Sequence, residues 1–189
     1  MSRLVTFTRR HLPHWHPSGT AVFITWRLHG SLPKNIPPLT PKADLNSGQE
    51  FVRRDNLLDR AQTGPVWLKE PTIAARVQCQ LQHLHQRKLF DLRAYVIMAN
   101  HVHALIEPRS PLAEITQHLK GSTAREANQI LGRTGRPFWQ DESFDHWIRT
   151  PGEWHKIRAY IEANPVKAGL CTTPTAWPWS SASTRIAPQ

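Results

Sequence analysis

His-x-His occurs three times in this chain, as His14/His16, His83/His85 and His101/His103. Two imidazoles on one rigid surface make half of a divalent-metal site, so these pairs are the first place to look for chemistry. The spacing alone says little, because 11 histidines in 189 residues give roughly 0.6 such pairs by chance. Local sequence separates the three. His83 and His85 fall in a segment where Ile73, Val77, Leu81 and Leu84 recur with helical period, and positions i and i+2 of a helix point about 200° apart. His14 and His16 sit in HLPHWHPSG, an aromatic loop ending in turn residues. His101 and His103 open HVHALIE, a strand pattern in which alternate residues share a face. Both imidazoles then project from one side while Val102, Ala104 and Ile106 enter a core. The alternative is two histidines on a half-exposed sheet surface.

The second group lies near the C-terminus. Thr150-Pro151-Gly152-Glu153 has a threonine cap, a proline at the first helical position and a glutamate at the third, the pattern of a capping box. Trp154, Ile157 and Ile161 form the apolar stripe of the helix that follows, and Pro165 is expected to end it. Lys156, Tyr160 and Asn164 recur every four residues and share another face. Tyr160 offers a phenol, and Asn164 an amide oxygen suited to a hard cation. The plainer alternative has Tyr160 packing at a rim and Asn164 capping the helix. A phenol, with a reference pKa near 10, attacks a phosphodiester when a cation polarises the phosphate and offsets the developing charge. The phosphotyrosine so formed conserves the bond energy for rejoining. No ATP is needed, and no GxxxxGK[ST] loop is present to bind one.

Charge indicates the partner class. Lysine and arginine number 24 against 14 aspartates and glutamates, a net of +10. That balance points to a polyanion, most often nucleic acid, with a generally cationic surface as the alternative. Residues 1–43 hold six basic residues (Arg3, Arg9, Arg10, Arg27, Lys34, Lys42) and no acidic one. Eight tryptophans add aromatic faces on which unpaired bases stack, although most are expected in the core. No apolar run approaches the roughly 18 residues of a membrane span. The N-terminus lacks the layout of a secretory signal. Cys79 and Cys171 form neither a disulfide framework nor a zinc-site spacing. The expectation is a cytoplasmic protein without a membrane partner.

The elements that must position these residues follow from pattern. Thr20–Leu28 reads as a strand rich in β-branched and aromatic residues. Residues 34–71 read as an inserted segment, with a helix near 49–60 closed by Thr63-Gly64-Pro65. Pro71–Lys88 reads as a helix, and Phe90–Met98 and His101–Glu107 as a hairpin about Ala99-Asn100. Ser110-Pro111 opens a helix to Leu131, with Gly121 as a point of interruption. Phe138–Ile148 follows as a strand or extended segment, and residues 170–189 as a tail lying over the domain. The β-α-β-β-α-β order predicts one α+β domain over 1–189, a ferredoxin-like antiparallel sheet with helices.

Four stretches in this order resemble single-tyrosine HUH transposases: YVIMANHVHALIEP (Tyr95–Pro108), FWQDESFDHWIR (Phe138–Arg149), YIEANPVKAGL (Tyr160–Leu170) and WPWSS (Trp177–Ser181). LPHWHPSGTAVFITWRLHGSLP (Leu12–Pro33) resembles the branch called REP-associated tyrosine transposases. The resemblance implies an HUH nuclease fold in which His101 and His103 bind a divalent metal, Mg²⁺ or Mn²⁺. It puts Asn164 at the third-ligand position and makes Tyr160 the nucleophile. It also implies an endonuclease and strand transferase of DNA transposition and recombination, acting on single-stranded DNA folded into imperfect REP-like hairpins. Such an enzyme leaves a 5′-phosphotyrosine and a free 3′-hydroxyl. Fitted to this, Lys156 is a candidate phosphate contact. Arg133 and Arg136 become candidate grips on the DNA backbone, and Arg9, Arg10, Trp15 and Arg27 candidate contacts to the hairpin or its guide bases. Each of these is also readable as an ordinary exposed or core side chain. Relatives work as monomers or as dimers that exchange the tyrosine helix, so both states stay open. Two other readings compete: a hairpin-binding protein without significant catalysis, and a metal-dependent hydrolase that uses water and leaves Tyr160 structural.

Overall fold

The computed structural model describes residues 8–10, 12–14, 20–33 and 47–183. Trp15 lies outside them, and of Arg9 and Arg10 only the backbone is described, in the short pair β1 (Thr8–Arg10) and β2 (Leu12–His14). The main elements are β3 (Val22–Arg27), α1 (Ser47–Arg60), α2 (Pro71–Gln86), β4 (Phe90–Ile97), β5 (His101–Pro108), α3 (Leu112–Ile130), β6 (Phe144–Trp147) and α4 (Pro151–Lys167). Strands β4, β5, β3 and β6 form one sheet in that order, with every pairing antiparallel. The first and third strands of the unit lie at its centre, as in the expected ferredoxin-like arrangement.

The sheet has two covered faces because strand residues alternate. Val22, Ile24 and Trp26 of β3 and Val102, Ala104 and Ile106 of β5 face α2 and α3. There they pack on Ile73, Val77, Leu81, Leu84, Ile115 and Leu119. Ala21, Phe23, Ala94, Val96, Met98 and Leu105 face the other way, toward Ile161 of α4 and Phe51 of α1. The C-terminal tail seals the outer edge of β4. Ile97 N donates to Trp179 O at 2.8 Å, Ser181 N to Tyr95 O at 2.9 Å, and the Trp177 indole to Ile97 O at 2.9 Å.

Two expectations about elements change and a third narrows. Helix α4 continues through Pro165 to Lys167, where the sequence suggested that it ends. Proline removes only its own N–H, and the last turn holds through Ala168 N to Asn164 O and Leu170 N to Pro165 O, both 2.9 Å, with Pro165 buried. Gly121 does not interrupt α3, whose apolar stripe spans it. Only Phe144–Trp147 of the segment 138–148 is strand. Residue Trp139 makes a single bridge to Leu28. Among the described residues, no helix is long and apolar enough to cross a membrane.

Candidate active site on the second face of the sheet

Strand β5 delivers His101 and His103 to the α4 side, both fully buried. In register with them across the sheet stand Arg27 and Thr25 of β3. Each imidazole is fixed through Nδ1. Asn100 donates its amide N–H to Leu58 O at 3.1 Å, which turns its carbonyl toward His101 Nδ1 at 2.7 Å. His101 Nδ1 therefore carries the hydrogen, and its Nε2 is a bare lone pair. Thr25 Oγ1 sits 2.7 Å from His103 Nδ1 and orients that ring in the same way. The two Nε2 atoms face each other at 3.0 Å.

The third group comes from the inserted segment. Helix α1 lays Asp55 against the pair, with Oδ1 3.0 Å from His103 Nε2 and 3.6 Å from His101 Nε2. Asp55, His101 and His103 form a buried group whose donor atoms lie within 4.8 Å of one another. Asp59, one turn later on α1, places Oδ1 3.7 Å from His101 Nε2. Phe51 of the same helix stacks on Phe144 at 4.5 Å and, with Phe23, walls the site. The sequence reading assigned no site residue to 34–71. The available signal was FVRRDNLLDR, with two carboxylates four residues apart on one face of a helix.

From the opposite side, α4 contributes Tyr160 and Asn164. The Tyr160 phenol donates to Asp55 Oδ2, and its ring centroid lies 5.9 Å from that of His103. Asn164, 1% exposed, donates its amide N–H to the same oxygen at 3.4 Å. Thus Tyr160, His101, His103 and Asn164, expected together from sequence, meet within one chain around a carboxylate the sequence did not single out. Lys156 is exposed on the N-terminal half of α4. Arg27 is half-buried beside His101, and burial, then Arg54, lower its guanidinium to about 10. The Arg133 guanidinium stacks 3.7 Å over the Trp67 ring and donates to Pro137 O at 3.1 Å, whereas Arg136 is exposed.

The electrostatics of the cluster are those of a cation site. Burial, then the neighbouring His103, holds the His101 imidazole down at about 3, so it is neutral and free to ligate. Burial would raise the Asp55 carboxyl, but the neighbouring His103, then His101 and Lys167, hold it well below the usual carboxylate range. Burial and the nearby Asp55 push Asp59 up. Asp55 Oδ1, Asp59 Oδ1 and Asn164 Oδ1 are buried without a hydrogen-bond donor. Electron-rich atoms brought together without donors are costly unless a cation lies among them. Donors sharing one first-row divalent cation sit about 2.0–2.2 Å from it, hence about 3 Å apart. The spacing of Asp55, His101 and His103 fits that requirement.

Known proteins share the fold. Residues 65–164 match the family model described as "Transposase IS200 like". The REP-associated tyrosine transposase solved bound to a REP hairpin aligns with a TM-score of 0.53 at 17% identity, over 94% of this chain and 82% of that one. A Deinococcus radiodurans R1 crystal structure described as a transposase aligns with a TM-score of 0.42 at 14% identity, over 76% and 89%. No curated protein matches. The first alignment shows the shared fold, and the matched span begins between α1 and α2 and runs through both strand histidines to Tyr160 and Asn164. The chain belongs to the IS200-like transposases, a family of DNA-processing enzymes.

Proposed function

We propose that this transposase cleaves and rejoins single-stranded hairpin DNA through a phosphotyrosine at Tyr160, with a divalent cation held by Asp55, His101 and His103. One observation carries the reading. The phenol and two buried imidazoles converge on the two oxygens of a single carboxylate, Asp55. A divalent cation bound there, Mg²⁺ or Mn²⁺, would polarise a phosphate oxygen and offset the charge that builds on it.

The chain's own residues do the rest. Asp55 Oδ2 accepts the phenol hydrogen and so aims the Tyr160 oxygen. Its low proton affinity suits it to orienting that oxygen rather than keeping the proton, which leaves to solvent. Tyr160 Oη forms a bond to phosphorus, the P–O3′ bond breaks, and the released O3′ takes up a proton. The products are a 5′-phosphotyrosine and a 3′-hydroxyl. Attack by a 3′-hydroxyl reverses the step and frees Tyr160, with one phosphoester bond made for each one lost. Asn164 closes the helix side of the cluster, and a turn of its amide would present Oδ1 as a further oxygen ligand. The structural relative bound to a REP hairpin, and the net charge of +10, support hairpin DNA as the partner.

The test is a labelled single-stranded hairpin mixed with the protein and Mn²⁺ or Mg²⁺, resolved on a denaturing gel. A covalent adduct that needs metal and disappears in Tyr160→Phe is the expected result. Binding without any cleavage would favour a recognition protein, and cleavage that survives Tyr160→Phe would favour water as nucleophile. Either outcome overturns the proposal.

A further inference from the structure

Lys167 lies three residues beyond Asn164 and seven beyond Tyr160, so all three share one face of α4. Its ammonium bonds Asp59 Oδ2 at 3.1 Å and lies 3.9 Å from Asp55 Oδ2, the oxygen that also accepts the Tyr160 phenol. The same nitrogen stands 5.5 Å from the centroid of the Tyr160 ring. The attacking oxygen and a cation therefore converge on one atom. Their exposures differ in a telling way. The Lys167 side chain is 41% exposed, while Asp55 is 0% and Asp59 8% exposed. Lys167 thus reaches from solvent to the rim of a buried cluster, anchored at its inner end by Asp59. An ammonium has three donors, of which Asp59 takes one at hydrogen-bond distance. A solvent-facing donor therefore stands beside the oxygen that accepts the phenol. Lys156, by contrast, lies about three turns N-terminal to Lys167, whereas Asp55 and Asp59 pack against the C-terminal half of α4.

We propose that Lys167 binds the phosphate that Tyr160 attacks, and that Asp59 is the positioning residue that holds it there. The inference rests on the transesterase reading above. A charge-assisted hydrogen bond to a non-bridging oxygen is short and strong, and it strengthens as charge accumulates on that oxygen during attack.

The experiment pairs one charge on the protein with one on the DNA. The cleaved phosphodiester is first mapped from the wild-type adduct. Hairpin oligonucleotides are then made with either the natural phosphate or an uncharged methylphosphonate at that position. Their binding is measured without divalent metal, which would itself contact that phosphate, and in a Tyr160→Phe background, where the attacking phenol is gone. With Lys167 in place, the methylphosphonate is expected to weaken binding about tenfold, as loss of a charged hydrogen bond does. In Lys167→Met the same change should cost less than about twofold, Lys167→Arg should keep the penalty, and Asp59→Asn should reduce it. A lysine that serves only to neutralise the two aspartates gives equal penalties in all four proteins, and that result overturns the proposal. If Lys167→Met does not fold by circular dichroism, Lys167→Gln replaces it with the same expectation. A wild-type protein that forms no adduct defeats the transesterase reading itself, a failure distinguishable from equal penalties.

Discussion

The two faces of strand β5 are one residue apart in sequence and opposite in character. Val102, Ala104 and Ile106 enter a layer of aliphatic side chains under α2 and α3. His101 and His103 enter a layer with Thr25, Asp55, Asn100 and Asn164, all buried and polar. Apolar packing stabilises in proportion to the area buried, whereas buried carboxylates and imidazoles without donors are costly. One face is therefore apolar, while the other sets its polar cluster beside a second, smaller apolar one that includes Phe23, Leu105 and Ile161. Substitutions on the two faces should separate in what they change.

The sharpest separation is expected at Tyr160. Tyr160→Phe should abolish the covalent hairpin adduct on a denaturing gel while thermal unfolding stays close to wild type. His103→Ala should come next, weakening Mn²⁺ binding in a calorimetric titration by at least about tenfold. On the opposite face, Ile106→Ala should cost about 2–5 kcal/mol in urea unfolding and leave the adduct yield per folded molecule unchanged. An Ile106→Ala protein that is fully folded but inactive would erase the distinction between the faces.

Acid should act most strongly through the polar face. The His101 imidazole titrates at about 3 when folded, below its ordinary 6.5, so between those values the unfolded chain binds the extra proton. Metal-free stability should fall as the pH drops below about 6.5, and fall further as Asp55, also depressed, becomes protonated. Melting temperature against pH for wild type and His101→Phe checks this, with the variant expected to lose less on acidification. The smallest effect is at the cap of α4. Thr150 Oγ1 accepts from Glu153 N at 3.1 Å, and Thr150→Ala should cost about 1 kcal/mol in the same unfolding assay.

What was legible in the sequence was what local pattern encodes. The strand alternation of HVHALIE placed both imidazoles on one face, and the cap before Trp154 placed the start of α4 where it is found. The capping box formed only in half. Glu153 bypasses Thr150 and instead accepts from Arg149 N at 2.6 Å and pairs with His146 at 2.7 Å. Asp55 was illegible because its role depends on where an inserted helix docks, and no periodicity states that. Docking is enforced by tertiary contacts such as Asn100 to Leu58 O, and by Gly64, whose backbone at φ +73° presses on the Gly30 carbonyl so that no side chain fits. The passage of α4 through Pro165 was equally illegible, since the penalty for proline is local and the packing that overrides it is not.

The attachment of α4 has a mechanical consequence. Its first turn is pinned to β6 by Glu153 and His146, its middle to the tail by Glu162 and Ser181, and its last turn to α1 by Lys167 and Asp59. On the proposed reaction, a helix anchored in this way leaves the severed strand as the part that travels, bringing its fresh terminus to the phenol when a new join is made.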